Sequence, residues 1–155
     1  MLLTGKFDHT IDAKGRVAIP AELRSRLESA GYGTRLYAIM GANDALWLWP
    51  EAVFEQMAGD LEPTLTPASD LMDFDEITFP EARLLDIDKT GRIRIPEELL
   101  EESGIRDKVV VLGMRNHLEL RTPEDWEARR RAKAARRAEI LERARDEIKR
   151  GGPAE

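Results

Sequence analysis

A nine-residue phrase occurs twice in this chain, and that duplication limits the available folds more than any other feature. Asp12-Ala13-Lys14-Gly15-Arg16-Val17-Ala18-Ile19-Pro20 returns 76 positions later as Asp88-Lys89-Thr90-Gly91-Arg92-Ile93-Arg94-Ile95-Pro96. Asp, Gly, Arg, Ile and Pro are identical in the two copies, and Val17 is matched by Ile93. The match continues downstream. Ala21-Glu22-Leu23 corresponds to Glu97-Glu98-Leu99, Leu36–Gly41 resembles Val109–Met114, and Leu46-Trp47-Leu48 aligns with Leu118-Glu119-Leu120. Self-similarity over such a length indicates two homologous half-units within one fold.

Each half-unit has readable local chemistry. Thr10-Ile11-Asp12 and Asp86-Ile87-Asp88 alternate polar and apolar residues, as half-buried strands do. Gly15 and Gly91 supply the positive φ that closes a tight hairpin, and Asp12 and Asp88 support the same turns. Beyond the turn, period-two alternation puts Val17, Ile19, Ile93 and Ile95 on the core side. Arg16, Arg92 and Arg94 are left outside. Pro20 and Pro96 suit the first position of a helix, where no amide hydrogen is needed. Two further apolar strands, joined at 41–44 and at 113–116, complete each unit.

A unit of four short strands and one short helix cannot bury its apolar faces alone. Two units pairing within the chain would form a small closed or split barrel. The expected organisation is a first unit at 1–57, an acidic linker with a short helix at 58–76, a second unit at 77–127 and a basic helical tail at 128–155. In the linker, Leu71, Met72 and Phe74 mark the helix. In the tail, Thr122 offers an N-cap and Pro123 a first-turn proline.

Charge bears on function at this point. The chain of 155 residues carries a net charge of −6, with 42% hydrophobic and 35% charged residues. That sign opposes DNA binding, which depends on lysine and arginine displacing counterions. The distribution is uneven, however. Residues 51–80 hold acids and no lysine or arginine, whereas 128–150 are dominated by arginine. There is no cysteine, which excludes disulfides, thiolate metal sites and cysteine nucleophiles. No apolar run has the length of a membrane span, and the start at Met1–Asp8 lacks the pattern of a signal peptide, so a cytoplasmic protein is expected.

The duplicated Asp-x-x-x-Arg phrase, with its Gly-Arg and Ile-Pro flanks, resembles the two signatures of the MraZ family. His9–Arg16 with Ile19-Pro20 is similar to the first, and Asp88–Pro96 with Leu118-Glu119-Leu120 to the second. The resemblance covers residues 1 to about 127. It implies an α+β, mainly β fold: two AbrB-like swapped-hairpin units in a double-split barrel, with peripheral helices and a C-terminal helix. It also implies a nucleoid-associated transcriptional regulator that binds short direct repeats in promoter DNA. Such a protein acts as a ring-like homo-oligomer and represses the division and cell-wall gene cluster that begins with its own gene. Two positions depart from the family pattern. The 70–76 segment is acidic where relatives carry arginine and aromatic residues, and Arg121 replaces an apolar residue.

Arg16 and Arg92 are the expected DNA contacts, since a planar guanidinium suits both phosphate and guanine edges. The plainer alternative pairs each with its own aspartate. Lys14 and Arg94 join them from strand geometry alone. His9 and His117 have no metal-ligand spacing, and Trp47 and Trp49 share one strand face as core or interface residues. No nucleophile–base set or phosphate-cradling glycine loop is present, so neither catalysis nor a cofactor, metal or small-molecule substrate is expected. Two rival readings remain. One is an acidic oligomeric scaffold for other proteins, and the other an antitoxin-like AbrB-type regulator.

Overall fold

The computed structural model describes residues 1–152, so the last three residues of the expected tail lie outside the described residues. Eight strands and six helices alternate along them. The first half runs β1 (Lys6–Thr10), β2 (Arg16–Ala18), α1 (Ala21–Ser29), β3 (Arg35–Met40), β4 (Leu46–Pro50) and α2 (Glu51–Gly59). Helix α3 (Ser69–Thr78) occupies the acidic connection. The second half repeats the pattern as β5 (Arg83–Asp86), β6 (Arg92–Arg94), α4 (Glu97–Ser103), β7 (Lys108–Gly113) and β8 (Leu118–Arg121). Two helices follow, α5 (Pro123–Ala134) and α6 (Arg137–Arg150). The residues through Thr122 form one compact unit, and those from Pro123 onward a second.

The halves are interwoven. One six-stranded antiparallel sheet has the order β1-β7-β8-β4-β3-β5, and β2 pairs with β6 in a separate two-stranded ribbon. The first strand of each half thus joins the other half: β1 pairs with β7, and β5 with β3. Repeat-equivalent residues exchange places across two ladders. In the ribbon Arg16 faces Arg94, Val17 faces Ile93 and Ala18 faces Arg92. In the sheet Leu46 faces Leu120, Trp47 faces Glu119 and Leu48 faces Leu118. A pseudo-twofold axis therefore passes through the Val17–Ile93 and Trp47–Glu119 pairs. This is the α+β, tandem-unit split barrel, with β1 and β5 as the two sheet edges.

The glycine turns join two different sheets rather than two arms of one hairpin ladder. Asp12 N donates to Arg16 O at 3.0 Å and Gly15 N to Asp12 O at 3.0 Å, and Asp88, Gly91 and Arg92 repeat both bonds. Past the turn the strands part, because each finds a longer apolar ladder in the other half. Period-two alternation holds. Val17, Ile19, Ile93 and Ile95 are buried, while Arg16 and Arg92 are half-buried and Arg94 exposed.

One core lies between ribbon and sheet. Leu36, Leu46, Leu48, Val109, Val111, Leu118 and Leu120 pack against the ribbon residues, with Leu23 and Leu27 of α1 and Leu99 of α4 closing the sides. Leu23 and Leu27 stand one helical turn apart and so share a face. Pro20 and Pro96 cap these helices instead of opening them, with ψ of 138° and 143°. The chain stays extended through each proline because the residue before it is still tied to the opposite turn. Ile19 N donates to Gly91 O at 2.8 Å and Ile95 N to Gly15 O at 2.9 Å.

The tail expected as a single helix breaks at Ala135-Arg136 into α5 and α6, and Gly151 ends the second. Intrahelical ion pairs line it, including Arg130–Glu127 at 2.8 Å and Arg143–Glu139 at 2.8 Å. No helix among the described residues is long and apolar enough to cross a membrane.

Candidate nucleic-acid interface

Both turns are built by one device. The Asp12 Oδ1 atom accepts the backbone N–H groups of Lys14 and Arg16, each at 2.9 Å. The Asp88 Oδ1 atom does the same for Thr90 at 2.9 Å and Arg92 at 3.0 Å. A carboxylate side chain thus closes a turn around a left-handed glycine, with φ of 77° at Gly15 and 81° at Gly91. Hydrogen bonds to the ionised form lower a carboxyl pKa. The backbone N–H of Arg92 and the Thr90 hydroxyl hold Asp88 down to about 2. The backbone N–H of Arg16 leads the same effect at Asp12. Both turns are therefore anchored by carboxylates that are ionised at neutral pH.

The two arginines are held differently. Arg16 Nε donates to Asp12 Oδ2 at 2.7 Å. Arg92 Nε donates instead to the Thr90 hydroxyl at 2.8 Å, with Asp88 Oδ2 at 3.6 Å. Arg92 Nη1 also approaches Asp12 Oδ2 at 3.9 Å, so one carboxylate serves guanidinium groups from both repeats. The Arg16 and Arg92 side chains keep 32% and 35% of their surface exposed. The salt-bridged and outward-facing arrangements therefore coexist. Lys14 is exposed in the first turn, and Arg94 is exposed on β6 directly opposite Arg16. Like charges opposed across a ladder repel, and an anion beyond them relieves this. Thr90 as a clamp on Arg92 was not foreseen from the sequence. Its position, equivalent to Lys14, carried the only signal.

A second polar cluster lies on the sheet at the other end of the pseudo-twofold. Trp47 Nε1 donates to Asn43 Oδ1 at 2.8 Å, and Asn43 Nδ2 donates to Glu119 Oε1 at 2.9 Å. His117 stacks on Trp49 with ring centroids 4.3 Å apart, and its Nε2 is 3.8 Å from Glu119 Oε1. Burial pushes the Glu119 carboxyl up, yet His117, Asn43 and the Arg121 charge outweigh it and hold it below its ordinary value. Arg121, buried on β8, donates to Asn43 O at 2.9 Å. These groups knit β4 to β8. His117, given no task by the sequence, is thus part of the sheet's packing. Among the described residues no three His, Asp or Glu side chains gather in a way that would hold a metal ion.

Comparison with known proteins follows the same division into halves. The family profile described as "MraZ protein, putative antitoxin-like" matches residues 2–75 and 78–148. A transcriptional regulator MraZ from Thermomicrobium roseum is 32% identical over 142 residues, covering 92% of this chain and 96% of that protein. One from Symbiobacterium thermophilum is 36% identical over 122 residues, covering 79% of this chain and 85% of its own length. Another, from Roseiflexus castenholzii, is 31% identical over 126 residues, covering 81% and 85%. With the duplicated turn, the interwoven sheet and these matches together, the chain belongs to the MraZ family.

Proposed function

We propose that this protein regulates transcription by binding double-stranded promoter DNA through its two glycine turns. The observation that carries the proposal is the pair of outward guanidinium groups, Arg16 and Arg92, steadied on adjacent turns by Asp12 and Thr90. Arg16 and Arg92 contact phosphate or guanine edges, and Lys14 and Arg94 add cations beside them. Asp12, Gly15, Asp88 and Gly91 act indirectly by shaping the turns. The functional division follows the repeats: units at 1–57 and 77–127, a linker at 58–76 and a tail at 128–155.

A few cations on a chain of net charge −6 make one copy a weak binder. Several copies in a ring-like homo-oligomer present many turns at once, and linked weak contacts gain avidity. Exposed apolar residues in the connection, Leu65, Leu71, Met72, Phe74 and Ile77, support such self-association. Successive copies then read successive direct repeats. Occupancy of its own promoter, at the nucleoid in the cytoplasm, represses the division and cell-wall genes that follow.

The test uses a duplex selected from a random pool by the purified protein, built with one, two and three copies of the selected repeat. Affinity is expected to rise steeply with copy number. Replacing Arg16 or Arg92 with alanine is expected to weaken binding and flatten the salt dependence by about 0.9 for each phosphate no longer neutralised. Equal affinity for one and three copies removes the avidity argument. An unchanged salt slope in the double variant removes both arginines from the interface.

A further inference from the structure

Helix α1 carries a cation that its repeat counterpart lacks. Arg24 lies in α1, and Leu100 holds the equivalent place in α4. Both side chains cover the turn of the opposite repeat. Leu100 Cδ1 stands 3.6 Å from where a Cβ on Gly15 would lie. Arg24 stands closer over Gly91, with Cζ 2.5 Å and Nη2 2.9 Å from the corresponding point. Arg24 Nε donates to Ile19 O at 2.9 Å, and Ile19 N donates to Gly91 O at 2.8 Å. The guanidinium is therefore fastened beside the second turn through the same residue that ties the two halves together.

Arg24 is half-buried, and its two Nη groups make no hydrogen bond or ion pair among the described residues. Partly desolvated cationic donors gain from an anion, and the planar fork of arginine fits phosphate. At the first turn Leu100 offers no donor. An open cleft there is lined instead by Lys14, Arg94, Glu97 and Arg106. Arg94 has only Ala18 as its repeat counterpart. Cations thus stand in different places at the two ends of the β2–β6 ribbon.

Resting on the DNA-binding reading above, we infer that Arg24 contacts a backbone phosphate beside the second turn and thereby fixes the direction in which the protein lies on its site. A molecule with true twofold symmetry would sit equally well either way round and would suit a palindrome. Reading direct repeats requires every copy to face the same way. The Arg24–Leu100 difference contributes to a front and a back by placing a phosphate contact beside the second turn that the first turn, with Lys14 and Arg94 placed elsewhere, does not reproduce.

The chain has no cysteine, so a single introduced thiol can carry a DNA-cutting iron chelate. The exposed Ala13 is a suitable place, as Ala13→Cys, and the probe is a duplex with one copy of the repeat selected by the unmodified protein. Cuts are expected on one side of the repeat. Adding Arg24→Leu, which installs the side chain found at the other end, is expected to raise cutting on the opposite side of the repeat, with the remaining bias set by Lys14 and Arg94. It should also weaken binding about tenfold, as removing a charged hydrogen bond does, and lower the salt slope by about 0.9. Leu100→Arg serves as a second variant and is likewise expected to raise cutting on the opposite side. Equal cutting on both sides by the Arg24-containing reporter overturns the inference alone. Unchanged cuts and slope in Arg24→Leu do the same. Failure of the unmodified protein to select any duplex overturns the DNA-binding reading and this inference with it.

Discussion

Arg92 Nη1 stands 3.9 Å from Asp12 Oδ2, although the two residues belong to different copies of the repeat. The same carboxylate oxygen is 2.7 Å from Arg16 Nε, so Asp12 orients both guanidinium groups while Asp88 lies near only one. The repeats are alike in sequence but unequal in the work their aspartates do.

That inequality is measurable. Asn in place of Asp12 keeps an oxygen for the Lys14 and Arg16 amides but removes the charge that steadies two arginines. Asp12→Asn is expected to lower DNA affinity more than Asp88→Asn does. Equal reductions in a binding titration at fixed salt would show that Asp12 serves its own turn alone.

The two turn glycines differ in what an added methyl group meets. At Gly15 it would lie 3.0 Å from the Ile95 carbonyl oxygen, which is held in the backbone, whereas at Gly91 it would lie 2.5 Å from Arg24 Cζ, and clearing it breaks the Arg24 Nε bond to Ile19 O. Positive φ costs any L-residue about 1–2 kcal/mol at either place. Gly15→Ala and Gly91→Ala are therefore both expected to destabilise beyond that shared strain, each by about 1 kcal/mol, the first through crowding and the second through the lost hydrogen bond. Urea unfolding of the two variants measures this, and Gly31→Ala, with φ 75° and open space around it, isolates the strain. A destabilisation in either variant no greater than that of Gly31→Ala would contradict the packing at that turn.

The Asp88 carboxyl titrates near 2, against about 3.9 for an unperturbed aspartate. The unfolded chain then binds the proton first. The stabilisation from Asp88 is complete above about pH 4 and is lost as pH falls through about 2. Carboxyl carbon shifts followed by NMR from pH 7 downward should show this midpoint. They should also show Asp12 titrating below the ordinary aspartate range. A midpoint near 4 for Asp88 would mean that its turn opens in solution.

Removing Asn43 should damage the sheet away from the turns. Its side chain satisfies both Trp47 Nε1 and the buried Glu119 carboxylate. Asn43→Ala is expected to cost about 1–3 kcal/mol, because the buried Glu119 carboxylate and the half-buried Trp47 indole each lose a partner. Asn43→Asp should cost more, since it sets a second negative charge beside Glu119. Denaturant midpoints for the two variants check this, and an unchanged midpoint in Asn43→Ala would show that the cluster does not hold β4 to β8.

Much of this architecture was legible in local sequence. Positive φ at Gly15 and Gly91, the burial of Val17, Ile19, Ile93 and Ile95, and a helix around Leu71 all follow from residue type and spacing within a few positions. The proline caps were displaced by one residue, because the bonds of Ile19 and Ile95 to the opposite turns keep the chain extended. The tail gave no clear sign of its break at Ala135-Arg136, where alanine and arginine favour continued helix.

By itself, then, the sequence determined that there are two units, where each turns, and which side chains face inward. Steric limits on φ and the period-two alternation of strands act over short stretches and can be read from them. Tertiary structure alone decided which strand pairs with which, since equivalent strands of the two halves offer nearly the same apolar ladder. It also decided the asymmetry. Asp12 reaching Arg92, Arg24 lying over Gly91, and His117 stacking on Trp49 beside Glu119 are contacts between distant segments, created only when the interwoven sheet brings them together.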